Sequence, residues 1–436
     1  MQQTKTRFIA LALLLFIGSM NMFAQSAAQR ALNQKKLPLS VLRNSRVKSP
    51  SHDKFAAFGK NKANAGLKTA ATVGLPGVDS VVNWSDSFTS PGYDFFGNPQ
   101  SVWPYTMVGT PPESGRPVNI NAPVIPVTVD LLAADGSVAV TFATGRTIVN
   151  NMVNSPVFQP WIYTNGIGQF NDQMFRAEFW NRIHHGDDAN NWHVTISPNV
   201  KRGRRMQIPW GSWFVATDNN NNPVAALVEG NAFGAALFPP TFPVTNDTVI
   251  GAAELAGDMT TKDISSLLFN NVYLYDGTPD NCCVLGFHSY DFEPGVPSNG
   301  NRERRYVMMY ASWIDPGLFI GGFEDVTAYS HEMSETYNDP FVDNQTPWWL
   351  SSDPIFGGLC QDNLETGDVV EVLSGNPVYP VPMHNRTYHP SNEALFSWFA
   401  FESPSTARLR AYSFPDETTV MSLSPGPLLP GCVPAP

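Results

Sequence analysis

The stretch EDVTAYSHEMSETYNDPF, Glu324 to Phe341, sets one histidine and two glutamates within five residues: His331, Glu332 and Glu335. On a helix, His331 and Glu335 stand one turn apart on the same face, so a neutral imidazole and a carboxylate can share one divalent cation. Glu332 lies beside them, where a carboxylate can serve as general base toward a water that the cation activates. A catalytic ion also needs a third protein ligand and an open position. Asp339 is two turns beyond His331, too far along one straight helix to reach the same ion. The acidic loop LCQDNLETGDVVE offers Glu365 or Asp368 instead, and His389 in TYHPSNEALF is the outside candidate. Zinc suits such a mixture of imidazole and carboxylate. The plain alternative is a helix whose His331 and Glu335 pair with each other and with loop backbone, leaving Glu332 an ordinary surface acid.

These residues need elements to position them. A helix opening at Glu324-Asp325, with Asp325 as N-cap, runs to about Asn338 and stops at Pro340. Ahead of it, three strands are expected over Asn271 to Gly277, Cys282 to Phe292 and Arg304 to Ile314. Val124 to Leu132 and Ser137 to Phe142 read as strands joined through an Asp135-Gly136 turn. Trp192 to Val200 is again strand-like. Gln169 to Ile183 carries apolar residues at helical spacing and reads as a packed helix, and a further helix is expected over Asp263 to Asn270. Downstream come weak strands (Val369 to Leu373, Val378 to Val381) and a short helix near Ser391 to Phe401.

Composition bounds the class. Aromatics make up 12% and charged residues only 15%, with 37 Pro and 33 Gly, which suits a loop-rich, sheet-containing chain better than a helical bundle. Lys5 and Arg7 precede an apolar run, Phe8 to Ile17, and small residues follow at Ala24, Ala27 and Ala28. That order predicts a signal peptide over residues 1–28 and a secreted or periplasmic protein. The run is too short to span a bilayer comfortably, so no membrane span is expected. Between Arg30 and Lys68 lie ten Lys or Arg and one acid, Asp53, although the whole chain has a net charge of -11. Residues 29–78 therefore read as a basic flexible leader or a pro-segment, and the rest as strongly acidic. Such a body repels nucleic acid, so no nucleic-acid partner is expected. The four cysteines, Cys282, Cys283, Cys360 and Cys432, suggest disulfides in an oxidising compartment. Adjacent Cys282 and Cys283 are poorly placed to pair with each other, and the leaning is one to Cys360 and the other to Cys432.

Other histidines and aromatics rank lower. His184 and His185 could meet a metal with Asp187 or Asp188, but an exposed helix-ending loop is the simpler reading. His288, in a strand among aromatics, reads as a hydrogen-bonded core histidine, and His384 as exposed. Trp348-Trp349, Trp398-Phe399 and Trp210 to Phe214 could stack on sugars but suit packing better. The acidic loop Asp339 to Asp343 can supply oxygen ligands for a structural Ca²⁺.

The segment SHEMSETYNDP, Ser330 to Pro340, resembles the S-H-E-[LIM]-x-E-x-x-[TN]-[DN]-P signature of secreted bacterial zincin-like proteins. It is also similar to the plant exordium-like, or phosphate-induced, extracellular family, in which a Glu-x-Gly-Asp beside a Cys follows the helix. Here Glu365-Thr366-Gly367-Asp368 follows Cys360, with the Cys before the Asp rather than after it. The resemblance covers mainly residues 271 to 400. It implies an α+β fold with a zincin-like mixed sheet packed on an active-site helix, loop-rich and with a β-rich N-terminal part. One globular domain would span residues 79–410, followed by a Pro-rich tail over 411–436. Two functions follow as expectations. One is a secreted zinc metallopeptidase-like hydrolase, with His331, Glu335 and Glu365 or Asp368 on the ion and Glu332 as base. The other is a non-catalytic extracellular or cell-wall-associated binding protein on the same scaffold. The partner would be an extracellular polypeptide or a cell-wall polymer.

Overall fold

The β-branched run from Val124 forms the middle of a 15-residue strand, β1 (Val118–Leu132), around which a computed structural model assembles the main sheet. The described residues are 27–45, 72–94, 97–185, 188–350, 360–373 and 377–423. Of the signal peptide expected over residues 1–28, residues 1–26 lie outside them, as do Cys432 and the end of the Pro-rich tail. Among the described residues, no helix is long and apolar enough to cross a membrane. The fold is mixed α+β.

Seven strands carry the argument: β1, β2 (Val138–Phe142), β3 (Val194–Val200), β4 (Arg204–Ile208), β5 (Ser265–Asn270), β6 (Gly286–Glu293) and β7 (Glu303–Trp313). The order is β3-β1-β5-β7-β6, parallel as far as β7, with β6 antiparallel at the end; β2 and β4 pair with the C-terminal half of β1. A second sheet joins Lys36–Pro38, Trp213–Thr217, Pro223–Glu229, Val272–Tyr275 and Cys282–Val284. The chain passes between the two sheets at Asn271, whose φ is 52° and whose side chain grips Asp315 at 2.7 Å.

Strand alternation gives the main sheet two unlike faces. Ile125, Val127, Val129, Leu267, Phe269, Phe287, Met308 and Tyr310 pack on one face with the second sheet and with helices α2 (Gly230–Leu237) and α3 (Val249–Leu255). On the other face Val124, Leu268, Met309 and Ala311 join a core with α1 (Phe170–Glu178) and the hairpin Asn83–Tyr93/Pro99–Val108. On this second face lies α4 (Thr327–Asn338), followed in sequence by α5 (Thr366–Leu373). All twelve residues of α4 are buried although most are polar. A helix buried on every side must satisfy its polar groups internally. Tyr329 donates to Ser266 at 2.7 Å, Asn171 to Ser334 at 2.8 Å, and Ser330 shares a 3.1 Å hydrogen bond with Ser391.

Several expectations change. The segment read as a helix over Asp263 to Asn270 is β5, a strand between β1 and β7. Covered on both faces, its sequence SSLLFN does not alternate apolar with polar residues, so no period distinguishes strand from helix. Val369 to Leu373, read as a strand, is helical, because the pocket takes Val369 and Val370 as a buried helix face. The packed helix from Gln169 breaks at Phe179 into α1 and a turn over Trp180–Ile183, and the helix near Ser391 to Phe401 is only Phe396–Phe399. Val378 makes an isolated bridge to Ser391, and a short hairpin strand follows at Val381–Met383.

Cys282 and Cys283 are bonded to each other, not to Cys360 and Cys432; their Cα atoms lie only 3.1 Å apart in the buried strand that opens toward β6. Part of the basic leader belongs to the fold. Residues 27–34 are helical, Lys36–Pro38 adds a parallel strand beside Trp213–Thr217, Leu42 is fully buried, and Arg43 donates to the Gly317 carbonyl at 2.9 Å.

Candidate metal centre

α4 begins at Thr327, two residues later than expected, because Asp325 is not its cap. Asp325 sits at φ 43° and its carboxylate accepts from the Val326 N–H at 2.5 Å and the His389 N–H at 2.9 Å. Its other oxygen meets His389 Nδ1 at 2.9 Å, with Glu324 3.9 Å from that nitrogen. His389, the outside candidate for third ligand, is thus held at the entry of the helix and is not brought to His331. The reason is local: the turn at Asp325 needs a partner, and His389 follows the strand that passes it. Glu324, Asp325 and His389 form a small half-buried donor group of their own.

The helical spacing does place His331 and Glu335 together, with Nε2 to Oε1 at 3.0 Å. The acidic loop completes the approach: Asp368, in the first turn of α5, brings Oδ1 to 3.3 Å from the same Nε2. Gly367 makes this possible, since a Cβ there would lie 2.3 Å from His331 Nδ1. The Gly367 N–H donates to Glu335 Oε1 at 3.2 Å, and Gln361 donates to Asp368 Oδ2 at 3.2 Å. Hydrogen bonds of this kind orient ligand carboxylates.

Glu365 reaches the other side of Glu335. Asn363 donates to its Oε1 at 2.7 Å, leaving Oε2 directed at His288 at 3.9 Å. His288, on β6, was not among the residues singled out as ligands. Its Nδ1 is 3.5 Å from Glu335 Oε2 and 3.7 Å from Glu332 Oε2. Glu332 packs against β6 where a side chain at Gly286 would intrude: a Cβ there would meet its carboxyl at 2.6 Å. Glu393 is a second residue the sequence did not mark. It is fully buried, accepts from Thr366 at 3.0 Å and from Ser391, and feels the charges of both His331 and Glu335.

Two overlapping donor groups result, His331-Glu332-Glu335 and His288-Glu335-Glu365, with Glu335 common to both. An ion with bonds of about 2.0–2.2 Å in a tetrahedral arrangement keeps its donors roughly 3.3–3.6 Å apart. The 3.3 and 3.5 Å separations at His331–Asp368 and His288–Glu335 are of that size, while His331 and Glu335 stand closer, at 3.0 Å. Every one of these side chains is shut away from solvent: His331 is 2%, Glu335 2% and His288 6% exposed.

The electrostatics follow from crowding acids in a dry place. Burial, reinforced by Glu335, raises the Glu332 carboxyl to about 7. Burial and the same neighbour push Glu365 well above the carboxylate range, and burial does so for Glu393. Burial would raise Glu335 too, but His331 and His288 outweigh it and hold this carboxyl well below its usual value. His288 would be lowered by burial, yet Glu365, Glu332 and Glu335 together lift it well above an ordinary imidazole. Among the described residues, no Lys or Arg pairs with Glu332, Glu335, Glu365 or Glu393.

The remaining candidates are spent elsewhere. His184 stacks on Trp180 with ring centroids 3.6 Å apart and meets its carbonyl at 2.9 Å. Asp187 and the side chains of His185 and Asp188 lie outside the described residues. His384 is exposed in a turn at φ 52°. Asp339, considered for calcium, accepts from the Asp343 and Asn344 N–H groups at 3.0 and 3.1 Å and so serves the loop itself. Trp349 packs edge-on against Trp398 and Phe399 in the core.

No family model matches the chain, and neither the curated proteins nor the solved structures contain a match to it.

Proposed function

We propose that this protein is a metal-dependent hydrolase of the metallopeptidase kind, acting outside the cytoplasm, with zinc held by His331, Glu335 and Asp368. One observation carries the reading. The helix pair predicted from spacing meets an acidic loop inside a buried pocket that holds more carboxylates than its imidazoles can balance. Desolvated charges persist only when paired or bound to a metal, so a divalent cation is the economical completion.

Bound there, the ion would act as a Lewis acid on a water and on the substrate carbonyl. The chain's own residues supply the rest. Glu332, one position after His331 and wedged on Gly286, can take a proton from that water. Gly367 and Gln361 fix the carboxylates that face His331. The mixed α+β sheet under a buried helix is compatible with the zincin-like resemblance of Ser330 to Pro340. Polypeptide is the substrate class that the resemblance suggests.

The test is metal analysis of purified protein beside assays on an unstructured peptide mixture. Near-stoichiometric zinc is expected, with hydrolysis abolished by a chelator and restored by Zn²⁺. Glu332→Gln should keep the metal and lose at least 100-fold in kcat, the low end for a general base. Full activity of Glu332→Gln, or protein that takes up no divalent metal, overturns the reading.

The depth of burial favours a second reading: a structural cation in a non-catalytic extracellular protein that binds a polypeptide or cell-wall polymer. Retained metal, a large fall in thermal stability on chelation, and no hydrolysis of any peptide tested would select it.

A further inference from the structure

The two oxygens of Glu335 face different partners. Oε1 looks to His331 Nε2 at 3.0 Å, on the side of Asp368, while Oε2 looks to His288 Nδ1 at 3.5 Å, on the side of Glu365. A single ion bound by His331, Glu335 and Asp368 uses the first set and leaves the second outside its reach. Beside that second set lies Glu332 Oε2, 3.7 Å from His288 Nδ1 and without a hydrogen-bond partner, on a side chain only 4% exposed. Orphaned polar atoms at such depth call for a ligand. The pocket gathers five carboxylates, Glu332, Glu335, Glu365, Asp368 and Glu393, beside two imidazoles.

We infer that the pocket is a two-cation centre: a second divalent ion is held by His288, Glu335 and Glu365, with Glu335 bridging it to the ion at His331. This rests on the proposed metal role of His331, Glu335 and Asp368. A carboxylate giving one oxygen to each ion sets the pair about 3.5–4 Å apart, the separation found where two metals act together on one substrate. The second site has one nitrogen and several oxygen donors, which suits zinc or manganese; a softer ion would want sulfur. Glu332 stands between the halves, within reach of donors from both. Glu393 steadies the start of α5 by accepting from Thr366 at 3.0 Å.

Metal content decides it. Full-length protein, stripped with chelator and re-equilibrated with Zn²⁺ alone, should bind two ions per chain by mass spectrometry of the metal. His288→Asn and Glu365→Gln should each bind one, and His331→Ala should lose the ion on its own side. Folding of each variant is verified by far-ultraviolet circular dichroism. Should the variants not fold, Co²⁺ titration of the wild type carries the test: two visible-absorption phases are expected, with exchange coupling between the ions in the electron paramagnetic resonance spectrum. One ion per chain in the wild type, with no coupling, overturns the second site and leaves the single-ion hydrolase standing. No ion at all overturns both.

Discussion

The two faces of the main sheet are built from the same strands and solve opposite problems. On one, Leu267, Phe269, Phe287, Met308 and Tyr310 meet α2 and the second sheet in a pocket lined almost wholly by carbon. On the other, residues one step along those strands meet α4: Ser266 holds Tyr329, and His288 confronts three glutamates. The carbon face is self-sufficient, since packing and water exclusion stabilise it without help. The charged face is not, because each carboxylate buried there costs several kcal/mol until something positive meets it. A sheet that spends one face on plain cohesion can use the other to hold groups that would otherwise destabilise the protein. That division makes separable predictions.

The largest effect is expected on the carbon face. Phe269→Ala should cost about 3–5 kcal/mol of unfolding free energy, measured by urea denaturation, and leave metal content unchanged. A variant that lost its metal as well would break the separation of the faces. Next comes the charged face. Removing metal from the wild type should lower stability by about 2.7 kcal/mol for an ion present at 100 times its Kd, seen as a fall in Tm. His331→Ala, left with the ion on the His288 side alone, should respond less to chelator. A smaller change follows Glu332→Met in metal-free protein: replacing a buried acid by an apolar side chain of similar length should leave stability unchanged or raise it by about 1–2 kcal/mol. Clear destabilisation in the absence of metal would mean that Glu332 is a structural partner after all.

The smallest effect, taken per pH unit, lies at the border of the charged face. Glu178, at the end of α1, is fully buried and accepts from the Phe396 N–H at 2.7 Å, and burial raises its carboxyl to about 8, with Glu402 adding to the rise. A raised carboxyl is protonated more readily in the folded state than in the unfolded one. Its contribution is therefore full below pH about 4.5 and is lost as pH rises toward 8. Over one pH unit the loss is at most about 1.4 kcal/mol. Glu178→Gln should flatten Tm against pH between 5 and 8; an unchanged slope would show that Glu178 is not the group responsible.

Much of the pocket was legible in the residue order because its spacing is local. His331 and Glu335 are four apart on a helix whose identity their surroundings announce, and Glu365 and Asp368 flank a glycine that the close approach requires. His288 was not legible as a partner. In the pattern GFHSYDF it looks like any histidine on a buried strand, and nothing local reveals that β6 lies beneath α4. Glu393 was hidden in the same way, and His389 stood out wrongly because its neighbour Asp325 is 64 residues away in sequence. β5 misled for a different reason: a strand covered on both faces has no period to read.

The sequence by itself determined the local chemistry: a helix bearing an imidazole and two carboxylates, a Gly-Asp pair able to approach it, and an acidic body. Only the tertiary structure decided that the pocket has a second histidine, that Glu335 faces two ways, and that His389 is engaged elsewhere. The physical reason is that a helix turn fixes neighbours within a few residues through backbone geometry alone, whereas a metal pocket is closed by side chains from strands and loops distant along the chain. Their meeting depends on which faces bury against each other, and that is a property of the whole core.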